Sequence, residues 1–178
     1  PTSMDMGNIM HKVLESLIKE VNKEKLSLAE LSEEERDALA DRLVDEISAD
    51  YGNTILKSSA RNEYMIQRTK RMVRRTVWAI QKQLKSGEFE PEGVEVVFQG
   101  GRIDRVDTME TDDGKLYVRV IDYKTGNTSF DLVSLYHGLQ LQLMIYMDGA
   151  LTVEQNKHKN KDVIPAGVFY YNIKDPMI

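Results

Sequence analysis

The run Ile121-Asp122-Tyr123-Lys124 places a carboxylate and an ammonium two residues apart, in a segment that otherwise alternates like a β-strand. Residues i and i+2 of a strand point to the same side, so Asp122 and Lys124 share a face with Leu116, Val118 and Val120. Charges on such an apolar face are costly unless they are paired or metal-bound. A second run, Gly101-Arg102-Ile103-Asp104-Arg105-Val106-Asp107, precedes the turn signal Asp112-Asp113-Gly114. Asp104 and Asp122 are equally distant from Asp113, so an antiparallel hairpin turning there sets the two carboxylates nearly opposite each other. Like charges facing across a sheet repel, and a divalent cation between them turns repulsion into binding. Hard oxygen ligands suit Mg²⁺ or Mn²⁺. Taken alone, Asp122 and Lys124 also fit an ordinary surface ion pair.

The elements that must hold these residues follow from periodicity. Met10, Val13, Leu14, Leu17, Ile18 and Val21 recur at helical spacing, with Ser3 or Asp5 as candidate caps. Ser32-Glu33-Glu34-Glu35 has capping-box spacing and opens a second helix with Leu39, Leu43, Val44 and Ile47 as its apolar stripe. A third helix is predicted from about Ser58 to Leu84, stopped by Ser86-Gly87. The period then changes to that of strands: Val94–Gln99, Arg102–Met109 and Leu116–Lys124. A helix over Leu132 to about Val153, a polar loop over Gln155–Asp162 and a closing strand over Ile164–Ile173 complete the order. Helices first, then hairpin strands, then a helix and a strand, indicate one α/β or α+β domain.

The chain has 178 residues, which fits one domain, and its 41% hydrophobic and 30% charged composition is that of a globular protein. It has no Cys, which excludes disulfides, thiol catalysis and Cys-held zinc or iron–sulfur clusters in this chain. No apolar run approaches the ~20 residues of a membrane span, and no secretory leader is read at the start. The net charge of −5 counts against nucleic acid at first sight. It is unevenly spread. Lys23 to Asp50 carries a net −6, whereas Lys57 to Lys85 carries nine basic residues against Glu63, a net +8, which leaves −13 on the rest of the chain, the acidic segment included.

Gly101-Arg-Ile-Asp104-Arg-Val-Asp107, then Val120-Ile-Asp122-Tyr-Lys124-Thr-Gly126, then Gln142-Leu-Met-Ile-Tyr146 resemble the RecB-like branch of the PD-(D/E)XK nuclease superfamily. Gly7-Asn8-Ile9-Met10-His11 resembles that branch's first motif. The likeness runs from Gly7 to about Tyr171 and is greatest to nuclease domains at the C-terminal end of AddB-type subunits of ATP-dependent helicase/deoxyribonucleases. It implies an α/β, restriction-endonuclease-like fold: a central mixed β-sheet flanked by helices, with a helical N-terminal half. One nuclease domain is expected over residues 1–178, helical over about 5–86 and with the catalytic sheet and its flanking helix over about 92–175.

The resemblance also implies roles. Asp104 and Asp122 would ligate Mg²⁺ or Mn²⁺ together with His11 and the backbone carbonyl of Tyr123. Lys124 would assist the attacking water. Gln142 and Tyr146 would contact DNA or support the catalytic strand, and Glu95 would lie near the metal. The implied activity is Mg²⁺-dependent deoxyribonuclease action in DNA recombination and repair, exonucleolytic on single-stranded DNA fed by a helicase subunit or domain, in the cytoplasm and with no membrane partner. Arg68, Arg71, Arg74 and Arg75 of the basic helix are candidate DNA contacts; the same charges also fit a solvated helix face. Gln142 and Tyr146 equally fit a helix's core-facing side, and Tyr64 and Trp78 read as core. His137 and His158 read as surface or helix-start residues. The four Cys that hold an iron–sulfur cluster in AddB-type domains have no counterpart here, which implies either a trimmed piece or a member lacking them. No P-loop is present, so cutting should not need ATP. A fold retained as a non-cleaving DNA-binding module is the alternative; intact Asp104, Asp122 and Lys124 weigh against it.

Overall fold

The computed structural model describes residues 3–51, 60–98, 100–125 and 132–173. The chain forms two compact units, one within Pro1–Gly87 and Ile173–Ile178, the other within Glu88–Asn172.

The first unit contains α1 (Ser3–Lys23), α2 (Glu33–Tyr51) and α3 (Ala60–Lys85), with a 3₁₀ turn at Leu28–Glu30. The expected stripe of α1, Met10 to Val21, is buried throughout. Ser32 and Glu35 form the predicted capping box: the Glu35 N–H donates to Ser32 Oγ at 3.1 Å and the Ser32 N–H to Glu35 Oε1 at 3.4 Å. The Gly87 N–H closes the end of α3 on Leu84 O at 3.3 Å. The acidic and basic segments separated by the charge count are neighbours. Lys70 Nζ lies 2.9 Å from Asp45, and Arg74 Nε donates to Asp41 at 2.7 Å. Part of the +8 is therefore neutralised along α2. Two expectations change here. Tyr64 is exposed rather than core. Trp78 is half-buried, with Arg75 at 4.1 Å and Lys82 at 4.3 Å over its ring, because the helix brings i±3 and i±4 neighbours onto its faces.

The second unit contains β1 (Glu90–Phe98), β2 (Gly101–Glu110), β3 (Lys115–Thr125), α4 (Leu132–Lys157) and β4 (Asp162–Ile173). The sheet order is β1-β2-β3-β4. The first three strands are antiparallel neighbours. β4 returns through α4 and starts beside the start of β3, where the Asp162 N–H donates to Gly114 O at 3.1 Å. The sheet is therefore mixed, as a β-α-β connection requires. The hairpin turn is the one predicted: the Gly114 N–H donates to Thr111 O at 3.2 Å, and Gly114 has φ of +80°, a conformation that favours glycine.

α4 packs on the sheet through Tyr146, Met147, Ala150 and Leu151 against Ile103, Val106, Val118 and Val120. Burying each such valine contributes roughly 1.5–3 kcal/mol. A side chain at Gly149 would overlap the Phe98 ring, so glycine is what lets helix and strand approach here. Two boundaries differ from expectation. β1 begins at Glu90 because a bulge between Pro91 and Gly93 absorbs residues that a regular strand would reject. The polar loop shrinks because α4 continues to Lys157. The His158 N–H then donates to Glu154 O at 2.9 Å, and Gln155 Nε2 donates to the His158 and Lys161 carbonyls at 3.2 and 3.0 Å.

Candidate active site

The ladder between β2 and β3 runs from Glu110↔Leu116 to Arg105↔Ile121, every pair symmetric about Asp113. One further step of that register faces Asp104 with Asp122. A side chain replaces the ladder bond there: the Tyr123 N–H donates to Asp104 Oδ2 at 2.8 Å. Asp122 is buried, and Lys124 Nζ lies 2.8 Å from its Oδ2. Burial first, and then the Asp104 carboxylate beside it, push the Asp122 pKa up to about 6; Lys124 opposes the shift without cancelling it. Two carboxylates held this close retain a proton or take up a cation.

Glu95 joins them from β1. Its neighbours pair as Val94↔Arg105 and Val96↔Ile103, which sets Glu95 opposite Asp104. A φ of +48° takes Glu95 out of regular strand geometry, a conformation uncommon for any residue but glycine. A carboxylate oxygen of Glu95 lies within 4.8 Å of one of Asp104, and Arg102 Nε lies 2.8 Å from Glu95 Oε2.

A polar chain borders the carboxylates. Tyr170 O–H donates to Gln142 Oε1 at 3.0 Å, and Gln142 Nε2 donates to the Tyr146 hydroxyl oxygen at 3.0 Å. The Gln142–Tyr146 spacing on α4 is what lets the two side chains meet. Lys124 Nζ sits 5.2 Å from the centre of the Tyr170 ring. Burial raises the Tyr146 pKa, and the Asp122 charge adds to the shift. Burial pushes Tyr170 up to about 12. Both phenols are therefore neutral donors at physiological pH.

The opposite face of the hairpin carries a buried charge cluster that the sequence reading does not assemble. Arg105 and Asp107 are fully buried, with Arg105 Nε 2.9 Å from Asp107 Oδ1. Arg119 reaches the other Asp107 oxygen at 2.8 Å, and Arg105 donates to the Tyr123 hydroxyl at 3.1 Å. The register Asp107↔Arg119 is the signal that could have found it, since residues directly opposite share a face. Tyr170 is missed as well; its position on the closing strand gives it no motif of its own.

The remaining candidates are carried by other elements. His11 is a half-buried residue of α1 in the helical unit. Of the four α3 arginines, Arg74 is held by Asp41, Arg75 is exposed over Trp78, and Arg68 and Arg71 are partly buried. The His137 side chain lies outside the described residues. His158 is not a plain surface residue: its Nε2 lies 2.8 Å from Glu92 Oε1.

A model of the PD-(D/E)XK nuclease superfamily matches residues 1–178. The chain is 44% identical over 182 residues to the B-type subunit of an ATP-dependent helicase/deoxyribonuclease from Lachnoclostridium phytofermentans, covering 98% of this chain and 16% of that protein. It is 36% identical over 194 residues to proteins of the same name from Alkaliphilus metalliredigens and Clostridium tetani, covering 98% of this chain and 17% of each. The chain thus spans about a sixth of the length of these relatives. Motif order, hairpin register and the full-length match lead to one conclusion: the chain belongs to the PD-(D/E)XK nuclease superfamily.

Proposed function

We propose that this chain hydrolyses DNA phosphodiester bonds with a divalent cation, Mg²⁺ or Mn²⁺, held by Asp104 and Asp122. The observation that carries the reading is the juxtaposition of these two carboxylates with Lys124 on one strand end. The donor set fits the cation: hard oxygens, a carboxylate that ionises reluctantly because it is buried and a second one adjoins it, and Glu95 close by. The Tyr123 carbonyl and His11 complete the proposed ligand set on the strength of the family motifs.

A bound divalent cation supplies a Lewis acid for the phosphate and an acidified water. The protein's own groups do the rest. Asp104 is pinned by the Tyr123 N–H, so its carboxylate keeps a fixed direction. Lys124 places a compact positive charge at the site, suited to orienting a nucleophilic water and stabilising charge on the phosphoryl oxygens. Asp122 holds Lys124 in that position. Tyr146 and Gln142 border the site with neutral donors that can meet a phosphate or sugar oxygen.

The names of the relatives carry the reading to DNA and to a helicase–nuclease complex. Single-stranded DNA delivered by a helicase subunit or domain, cut exonucleolytically, is the substrate proposed here. Cleavage of labelled single- and double-stranded DNA, with and without Mg²⁺, tests it. Lys124→Ala should slow cutting roughly a thousandfold, about 4 kcal/mol of barrier. Undiminished cutting by Lys124→Ala, or cutting indifferent to chelation, overturns the reading.

A further inference from the structure

Glu92, Glu154 and His158 each offer a ligand atom within 4.8 Å of the others. Their positions are specified by two separate features. Glu92 is the extra residue in the β1 bulge, a device that re-aims a side chain out of regular alternation. Glu154 lies in the last turn of α4 and His158 directly follows the helix, its N–H still donating to Glu154 O at 2.9 Å, which keeps the two residues in i, i+4 relation. His158 Nε2 lies 2.8 Å from Glu92 Oε1 and 3.5 Å from Glu154 Oε2.

Glu154 is the observation that needs explaining. Its side chain is 1% exposed, and among the described residues no N–H donor makes a hydrogen bond to either carboxylate oxygen; the group that faces it most closely in kind is another carboxylate, Glu92. The nearest ammonium, Lys157 Nζ, is 3.9 Å away. A buried carboxylate left in this state is strongly unfavourable. Its place in the last turn of a helix makes matters worse, since that end carries partial negative charge and favours cations. Burial and the Glu92 carboxylate together push its pKa up to about 8.

We propose that Glu92, Glu154 and His158 form a second divalent-metal site, structural in role, that clips the bulged start of β1 to the end of α4. The imidazole nitrogen favours a transition metal such as Zn²⁺ over Mg²⁺ or Ca²⁺. Zn²⁺ accepts both imidazole nitrogen and carboxylate oxygen as ligands, and solvent fills the fourth position where the protein supplies three. A cleft of about 360 Å³ adjoins the cluster, lined by Glu88, Glu90, Glu92, Glu110 and His158 among others. Lys161 pairs with Glu110, and the other carboxylates give the cleft an acidic wall that concentrates cations at its mouth. Glu154 follows Tyr146 by eight residues on α4, roughly 12 Å along the helix, so the site is distinct from that of Asp104 and Asp122.

The test separates the two sites. The full chain carrying Asp104→Asn and Asp122→Asn is dialysed against Zn²⁺ and assayed for bound metal. One equivalent should remain. Adding Glu154→Gln or His158→Ala should lower Zn²⁺ affinity at least tenfold. Thermal melts in chelator check that each variant folds; Glu154→Gln, a neutral group of the same shape, should melt no lower than its parent. Zn²⁺ should raise the melting temperature of the parent and leave that of Glu154→Gln unmoved. No metal bound to the parent above the buffer blank overturns the site, as does unchanged affinity in either added variant. Because the parent lacks both aspartates proposed for catalysis, neither outcome depends on whether the chain cuts DNA.

Discussion

The carboxylate of Asp104 accepts the backbone N–H of Tyr123 at 2.8 Å, tying the first hairpin strand to the residue between Asp122 and Lys124. One aspartate thus has two duties. It fixes the end of the hairpin, and it adjoins the Asp122 carboxylate.

The duties separate by substitution. Asp104→Asn keeps an oxygen that can accept the Tyr123 N–H, whereas Asp104→Ala leaves that donor unmatched, at about 1–3 kcal/mol. Both variants should lose DNA cleavage in Mg²⁺. In chelator, only the alanine variant should melt clearly lower than wild type. Equal melting of the two would show that the hydrogen bond contributes nothing to stability.

Asp122 makes metal-free stability fall as pH rises. Its folded pKa of about 6 stands above the ordinary 3.8, so the folded state binds the proton more tightly than the unfolded state does. The resulting stabilisation is present below about pH 4 and lost by about pH 6, at most about 3 kcal/mol. Asp122→Asn removes this dependence. In chelator its melting temperature should gain on wild type between pH 4 and 6 and then hold a constant lead. Mn²⁺ added at pH 7 should shrink that lead by stabilising wild type alone. A lead that does not change with pH contradicts the assignment.

Asp107 neutralises two arginines in the sheet, one of them fully buried. Asp107→Ala leaves Arg105 without its carboxylate in a dry site and should destabilise by about 3–5 kcal/mol. Urea unfolding followed by circular dichroism measures this. Asp107→Asn should be milder, since it retains an acceptor.

Of Arg68, Arg71, Arg74 and Arg75 on α3, Arg75 is the exposed one, whereas Arg74 is engaged by Asp41. If α3 tracks phosphates, Arg75→Ala should weaken DNA binding uniformly across sequences and lower the salt slope by about one. Arg74→Ala should act mainly on stability. Fluorescence anisotropy at several salt concentrations separates them, and an unchanged slope for Arg75→Ala removes α3 from the DNA path.

The hairpin was legible in the sequence because Asp112-Asp113-Gly114 offers one tight turn, and strand alternation then sets the register of every residue on either side. The α1 stripe and the Ser32–Glu35 box were legible because both are local, within one or two helical turns. The reach of Gln142 to Tyr170 was not, since it joins residues twenty-eight apart through a strand order that no motif encodes. Glu92 was hidden by its bulge, and His158 by a polar stretch that read as loop while the helix ran on into it. The Asp104–Asp122 facing followed from counting; the strain at Glu95 did not, because nothing in its residue type announces a positive φ.

The chain from Tyr170 through Gln142 to Tyr146 has a direction. Tyr170 gives its hydrogen to the amide oxygen, and the amide gives one of its own to the Tyr146 oxygen. A glutamine amide has distinct ends, so these two bonds act as a ratchet that sets the sense of every donor in the series. Tyr146, last in line, receives a hydrogen and keeps its own to give. Its pKa, raised by burial and then by the neighbouring carboxylates, keeps that hydrogen in place. The row thus ends on an outgoing proton rather than a lone pair, the polarity that an anionic oxygen requires.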